Sequence, residues 1–125
     1  MIRAIVILLL CLNACSATRP SAHLKEKSYQ IAWCAQIGGE TEVVLDDKTR
    51  VDCLTDEYAI EVDFARKWAE AVGQSLYYAE KTNRRPGILL ILEKPADARY
   101  LKRVQLLGIR HQIVIWEIRP QDLGQ

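Results

Sequence analysis

The sequence predicts a single α/β domain in which a mixed β-sheet is flanked by helices. Three segments lead to this prediction. Residues 58–64 alternate apolar and polar side chains as a half-buried strand does, and residues 66–81 repeat apolar side chains at helical spacing. Residues 87–92 form a continuous apolar run, which is typical of a strand buried on both faces. The chain has 125 residues, the size of one domain.

The first half of the domain is predicted to be a helix followed by an antiparallel meander. Ser28 can cap a helix that runs to about Ile37, and the glycines at 38 and 39 end it. Three strands joined by tight turns are expected next, at residues 42–45, 50–54 and 58–64. In the third strand the alternation puts Glu61 and Asp63 on the same face.

The second half is predicted to alternate helices with buried strands. The helix at residues 66–81 has an apolar stripe made of Trp68, Ala71, Val72, Ser75, Leu76 and Ala79. A basic loop at 82–85, a strand at 86–92, a helix at 96–108 and a strand at 112–118 follow. The order is therefore α-β-β-β-α-β-α-β, in which a meander leads into right-handed strand-helix-strand crossovers.

Composition excludes several classes of protein. Half of the residues are hydrophobic, 26% are charged and the net charge is +1, which argues against a disordered tail, a polytopic membrane protein and a strongly basic nucleic-acid-binding domain. The charge is unevenly distributed, because residues 26–80 are acidic and residues 81–125 are basic. This suits a metal site beside an anion-binding surface, or two halves that pair with each other.

The first residues have the pattern of a secretion signal. A basic start precedes an apolar run at residues 4–12, which is too short to span a bilayer. The sequence Leu12-Asn13-Ala14-Cys15-Ser16 resembles the bacterial lipobox. That resemblance implies a signal peptide at 1–14, a lipid on Cys15, and a periplasmic protein anchored in the outer membrane through a tether at 15–27. The alternatives are an ordinary signal peptide, or an unused signal and a cytosolic protein.

The two remaining cysteines, Cys34 and Cys53, are an even pair that can form a disulfide in an oxidising compartment. The sequence alone leaves open whether they approach closely enough. Their spacing does not match a zinc site.

Acidic side chains on neighbouring strands are the first candidates for chemistry. Asp52 lies in the second predicted strand, and Glu61 and Asp63 lie in the third. Adjacent strands are about 4.8 Å apart, so these carboxylates can converge, and a hard divalent cation would relieve their repulsion. Alternatively, all three face water.

The following helix adds a polar strip. Lys67, Gln74 and Tyr78 fall within about 40° of one another on a helix. Together with the acids they can hold a metal, a phosphodiester and a water. The alternative is an ordinary solvated helix face.

An Asp in one strand, a Glu in the next and a helix with Gln-x-x-x-Tyr resemble the PD-(D/E)XK nuclease superfamily. The residues that carry this resemblance are Arg50 to Asp52, Ala59 to Asp63, and Lys67 to Tyr78, the last similar to the helix of RecB-type nucleases. It covers roughly residues 28–118 and implies a restriction-endonuclease-like αβββαβ core at 28–119.

The resemblance also implies roles for individual residues. Asp52 and Glu61 would bind Mg²⁺ or Mn²⁺ with the help of the Val62 carbonyl, and Gln74 and Tyr78 would position the substrate strand or the site. An upstream acid, Glu42 or Glu40, is expected to add to the metal site. Glu42 shares a face with Asp52 if the first turn is a three-residue loop, and faces away if it is a two-residue loop.

One position departs from the superfamily. The third motif residue is normally Lys, and here it is Asp63. Lys67, one turn into the helix, is the natural substitute, with Arg66 second. The departure leaves either a second metal or a loss of activity open.

The basic half supplies candidate phosphate contacts. Arg84, Arg85, Lys102 and Arg103 are expected to bind nucleic acid, or else to form an ordinary charged surface. The leading hypothesis is thus a Mg²⁺-dependent nuclease that acts on DNA or RNA and is secreted as a lipoprotein; a dimer is plausible. The rival is a non-catalytic envelope lipoprotein that keeps the fold for binding.

Overall fold

The fold is known from a computed structural model, which describes residues 24–123. The helices and strands follow one another as α1 (Glu26–Gln36), β1 (Glu40–Val44), β2 (Arg50–Leu54), β3 (Tyr58–Phe64), α2 (Trp68–Thr82), β4 (Arg85–Ile91), α3 (Ala98–His111) and β5 (Val114–Ile118). Short 3₁₀ turns precede α2 and α3 and follow β5. The predicted element order and the α/β class are confirmed. The predicted signal peptide and Cys15 lie outside the described residues.

The five strands form one mixed sheet in the order β1-β2-β3-β4-β5. The first three strands are antiparallel neighbours, and β3, β4 and β5 run parallel. Helices α2 and α3 make the two crossovers between the parallel strands, as expected for right-handed strand-helix-strand units.

Helices cover both faces of the sheet. On one face α1 contributes Tyr29 and Cys34 to a core that also contains Ile60, Val62 and Leu89. On the other face α2 and α3 bury Ala71 and Val104 against alternate residues of β4. The run at 87–92 is buried throughout, which confirms a strand that is covered on both sides.

Several helix ends differ from the prediction. Ser28 does not cap α1, because the helix begins at Glu26, and the Ser28 amide donates to the main-chain oxygen of Lys25. Helix α3 continues through Gly108 to His111 and ends where Gln112 takes a left-handed conformation. Gly108 serves packing instead: a Cβ there would lie 3.0 Å from the Ile113 carbonyl oxygen.

The turn between β1 and β2 determines the register of these strands and therefore the position of Glu42. Leu45 and Thr49 pair through their main chains, which leaves a three-residue loop at 46–48, and Lys48 has a positive φ of 71°. Val43 then pairs with Val51, and Thr41 pairs with Cys53. This register puts Glu42 across from Asp52.

A disulfide joins α1 to the middle of the sheet. Cys34 and Cys53 are bonded, with 5.8 Å between their Cα atoms. Both side chains are fully buried. A Cβ on Gly39 would lie 2.5 Å from the Cys53 sulfur, so the bridge needs glycine at that position. None of the helices in the described part of the chain is both long and apolar enough to cross a bilayer.

Candidate functional site

The candidate site lies where β2 and β3 separate. The two strands pair at Cys53 with Ile60 and at Leu54 with Ala59. At Asp52, next to Cys53, a side chain replaces the main-chain pairing between the strands. Its Oδ2 accepts a 2.9 Å hydrogen bond from the Val62 amide.

The alternation of side chains in β2 breaks at the same place. Val51 packs with Ala59 and Tyr78 on the α2 side, whereas Cys53 packs with Tyr29 on the α1 side. Residues two apart in a regular strand share a face, so β2 is distorted between Val51 and Cys53. Such distortions re-aim a side chain, here that of Asp52.

Asp52 and Glu61 form a carboxyl pair across this distortion. Burial raises the pKa of Asp52 to about 6, even though the Val62 amide and Glu61 hydrogen-bond to it. Burial, followed by the charges of Asp52 and Asp63, raises the pKa of Glu61 far above its usual range. Glu61 is only 5% exposed, and its Oε2 has no hydrogen-bond partner among the described residues. Buried side-chain oxygens normally have a hydrogen-bond partner, so this oxygen is available to accept one.

Asp63 meets Lys67 and the first turn of α1. The ammonium of Lys67 lies 3.3 Å from Asp63 Oδ1 and 3.9 Å from Glu26 Oε2. Burial and the neighbouring Glu26 raise the pKa of Asp63 to about 7, and Lys67 opposes that shift. Asp63 in turn raises the pKa of Lys67, which therefore stays charged. The structure thus brings Lys67 into an ion pair with Asp63.

Gln30 of α1 holds the distorted part of β2. Its Nε2 donates to the main-chain oxygen of Asp52 at 2.8 Å and to Glu42 Oε1 at 2.9 Å. The Gln30 side chain is 3% exposed, so the donor of both bonds is buried. Gln30 therefore fixes the backbone from which the Asp52 carboxylate projects.

Glu42 is already engaged by three donors. Besides Gln30, Lys27 lies 3.0 Å from Oε1 and Arg50 lies 3.2 Å from Oε2. The hydrogen bonds from Gln30 and then Lys27 lower the pKa of Glu42 to about 2. Its backbone has a φ of 59°, in the left-handed region. Glu42 adds negative charge beside Asp52, but a metal would have to displace these donors to use its oxygens.

The predicted helix residues flank the acids. Tyr78 is 6% exposed and packs on Val51 and Ala59. Burial raises the pKa of Tyr78, with a further contribution from the Glu61 charge, and Gln74 hydrogen-bonds to its side chain. Tyr78 therefore lies within electrostatic reach of the acid pair, and Gln74 contacts Tyr78.

The predicted nucleic-acid-binding cations are divided between two ends of the domain. Arg84 and Arg85 lie where β4 begins, and Arg85 pairs there with Glu57 at 2.7 Å. Arg103 of α3 lies over the ring of Trp68, which opens α2 directly after Lys67. Since β3 is seven residues long, roughly 20 Å separates the two ends. Arg103 is thus at the Lys67 end, whereas Arg84 and Arg85 are at the opposite end.

A large open cavity also lies away from the acids. It is lined by residues near the start of β3 and β4, among them Glu57, Tyr58, Arg84 and Trp116. Trp116 packs edge-on against Tyr58 and close to Trp33, and both tryptophans pack against the core on the α1 side of the sheet.

The oxygen donors of the acid pair suit a hard divalent cation. Within residues 24–123, no three His, Cys, Asp or Glu side chains are already grouped as a metal site. Mg²⁺, however, often uses only one or two protein carboxylates, with water and substrate completing its coordination. The donors at the acid pair are oxygens, and Glu61 Oε2 is without a partner there. Asp52 and Glu61 therefore fit this ion chemically.

Two residues that sequence reasoning missed belong to this site. Glu26 and Gln30 come from α1, where apolar residues recur at helical spacing, as at Tyr29, Trp33 and Ile37, and this spacing gives no reason to select polar neighbours. A buried glutamine one residue from the core stripe was the available signal, because a buried amide must find partners.

The comparisons with known proteins give no relative for this chain. It matches no protein-family model, and no curated protein or solved structure resembles it significantly.

Proposed function

We propose that the chain is a small restriction-endonuclease-like protein of the PD-(D/E)XK type that hydrolyses phosphodiesters with Mg²⁺. The observation that supports this most is the meeting of Asp52 and Glu61 at the β2–β3 separation. Tyr78 lies within electrostatic reach of this pair, and Lys67 is paired with Asp63, two residues after Glu61 in β3. Two carboxyls from adjacent strands suit a metal ion that activates water, and a nearby lysine and phenol can position a phosphodiester.

In this proposal Asp52 and Glu61 hold the ion, and Glu42 supplies negative charge behind Asp52. When bound, Mg²⁺ supplies the positive charge that stabilises the scissile phosphate and activates water. The high pKa of both carboxyls means that a cation would compete with protons for them, so affinity should rise with pH.

The remaining residues act on the substrate. Lys67 carries the charge that a motif lysine would otherwise provide at position 63, and Asp63 orients it through their ion pair. Tyr78, kept in place by Gln74, limits the space beside the acids. Arg103 at the same end of the domain would contact a neighbouring phosphate.

The test is cleavage of single- and double-stranded DNA and of RNA by residues 16–125 in Mg²⁺ or Mn²⁺. We expect Asp52→Asn and Glu61→Gln to abolish cleavage while circular dichroism stays unchanged. Asp56→Asn is the matched control, because Asp56 is an exposed acid in the β2–β3 turn. Absence of cleavage with every ion and substrate would reject the proposal.

A second candidate is a non-catalytic envelope lipoprotein that uses the same fold for binding. The burial of Glu61 and Asp63, at 5% and 2% exposure, favours it, because a substrate must reach these groups. Calorimetry separates the two candidates: divalent-ion binding that is lost in Glu61→Gln supports the nuclease, and no binding supports the rival. Labelling with a lipid precursor that is lost in Cys15→Ala tests the anchor.

A further inference from the structure

Helix α3 presents an unusual outer face. Leu106 is 71% exposed and Ile109 is 84% exposed, the largest values among the exposed large apolar side chains of the described residues. Leu106 lies on the face opposite Val104 and Gly108, which are buried against the sheet, and Ile109 lies about 60° from Leu106 around the helix. Two aliphatic side chains in water on one helix face indicate a contact surface.

Cations surround these two side chains. At 100° per residue, Arg99, Lys102 and Arg110 fall with Leu106 and Ile109 inside an arc of about 100°. The helix has no Asp or Glu from Ala98 to His111. None of the three cations forms a salt bridge with another residue of the 24–123 range. This outer face of α3 is therefore basic and apolar together.

The apolar part continues beyond the helix. Ile109 lines a groove with Gly108, Ile113 and Ile115, between α3 and the edge strand β5. Arg103 lies to the side, over the rings of Trp68 and Tyr100. Arg99 is exposed but also contacts Tyr100, whose hydroxyl accepts a 2.8 Å hydrogen bond from the Arg99 guanidinium.

We propose that the outer face of α3 docks on an anionic lipid bilayer. Aliphatic side chains ringed by Lys and Arg match the boundary of such a bilayer, where the cations meet lipid phosphates and the aliphatic groups enter the acyl region. Nucleic acid fits less well, because Leu106 and Ile109 gain little against phosphates. A second copy also fits less well, because a two-fold contact would oppose like charges with no acid between them.

This inference does not depend on the proposed nuclease activity or on a lipid at Cys15. It assigns Lys102 to lipid phosphates and leaves Arg103 beside the acid site.

The experiment is co-sedimentation of the full chain with vesicles of phosphatidylcholine alone and of phosphatidylcholine with phosphatidylglycerol. We expect Arg99→Gln with Arg110→Gln to weaken binding to the anionic vesicles about 25-fold, since each cation near such a surface contributes roughly a factor of five. We expect Leu106→Gln with Ile109→Gln to weaken it about tenfold. Residues 1–23 are the same in every variant, so their own affinity for lipid cancels in the comparison.

Matched controls are Lys25→Gln with Lys48→Gln for charge and Ile31→Gln for exposed apolar surface. These should leave binding unchanged, and thermal unfolding should show that all variants fold. Equal binding to neutral vesicles, an unaffected Leu106 and Ile109 variant, or equal losses in the controls would overturn the proposal. So would charge-dependent binding to duplex DNA without vesicle binding, or self-association that disappears in the variants.

Discussion

The acid site and the outer face of α3 differ in how far their ionisable side chains are exposed to water. At the site Asp52, Glu61 and Asp63 are withdrawn from water, and each has a raised pKa. On α3 the cations are exposed and lie among aliphatic side chains. Burial therefore determines the state of a charged group: a buried carboxyl keeps its proton to a higher pH, whereas an exposed cation is free to meet solvent or a partner.

The largest expected effect comes from removing the disulfide that ties α1 to β2 beside Asp52. Cys34→Ala with Cys53→Ala should lower the free energy of unfolding by about 3 kcal/mol, since the bridge closes a loop of 19 residues. Urea unfolding measures the loss. The outer face of α3 is on the other side of the sheet, so vesicle binding by the folded variant should be unchanged.

Gln30→Leu should have the next largest effect. It leaves the Asp52 carbonyl without its partner and frees Glu42, which should cost about 2 kcal/mol in unfolding free energy. Metal or substrate affinity should fall as well, because the backbone that aims Asp52 is released. Gln36→Leu, at an exposed position near the end of α1, is the control. Equal stability of the two variants would show that Gln30 does not hold the site.

The raised pKa values predict how stability depends on pH. Asp52 and Asp63 keep their protons in the folded state up to a pH of about 6 and about 7, whereas the unfolded chain releases them near 3.8. The folded state therefore binds more protons in this interval, and the free energy of unfolding should fall as pH rises from about 4 to above 7. Urea unfolding in the presence of a chelator measures this, and a rise over the same interval would contradict it.

Glu61→Gln tests how the buried carboxyl pair affects stability and its dependence on pH. The amide removes a carboxyl that must stay protonated to remain buried beside Asp52, so at neutral pH the variant should be more stable by about 1 kcal/mol. The pH dependence should also flatten, because the variant lacks a carboxyl that keeps its proton in the folded state and releases it in the unfolded chain. A destabilised variant would mean that the carboxyl pair contributes to the stability of the folded protein.

The smallest effect belongs to an exposed ion pair at the start of β4. Arg85 and Glu57 are 2.7 Å apart, but both side chains are more than half exposed. Arg85→Gln should therefore change the free energy of unfolding by no more than about 0.5 kcal/mol. A loss comparable to that of Gln30→Leu would remove the contrast between buried and exposed charges.

The sequence alone was sufficient for the parts of the fold that follow a single periodicity. The bounds of β2 and β3, the common face of Glu61 and Asp63, and the pairing of Lys67 with that face follow from alternation and helical spacing. Helix ends were less predictable, because a side-chain cap at Ser28 competed with an uncapped start at Glu26.

The rest of the site depended on tertiary contacts. The position of Glu42 required the loop length at 46–48, which fixes the register. Gln30 is needed because β2 is distorted and the main-chain oxygen of Asp52 requires a donor. No local sequence pattern predicts such a distortion. The split of the arginines between two ends also depends on sheet geometry rather than on their order in the chain.

The left-handed backbone at Glu42 has a consequence for how this position tolerates change. This conformation costs a residue with a Cβ about 1 kcal/mol of stability, a cost that glycine would not have. Glycine would also remove the acceptor that Gln30, Lys27 and Arg50 share. The backbone at position 42 thus favours glycine, whereas the side-chain bonds require a carboxylate. The carboxylate of Glu42 anchors α1 to the first hairpin at the cost of a less favourable backbone conformation.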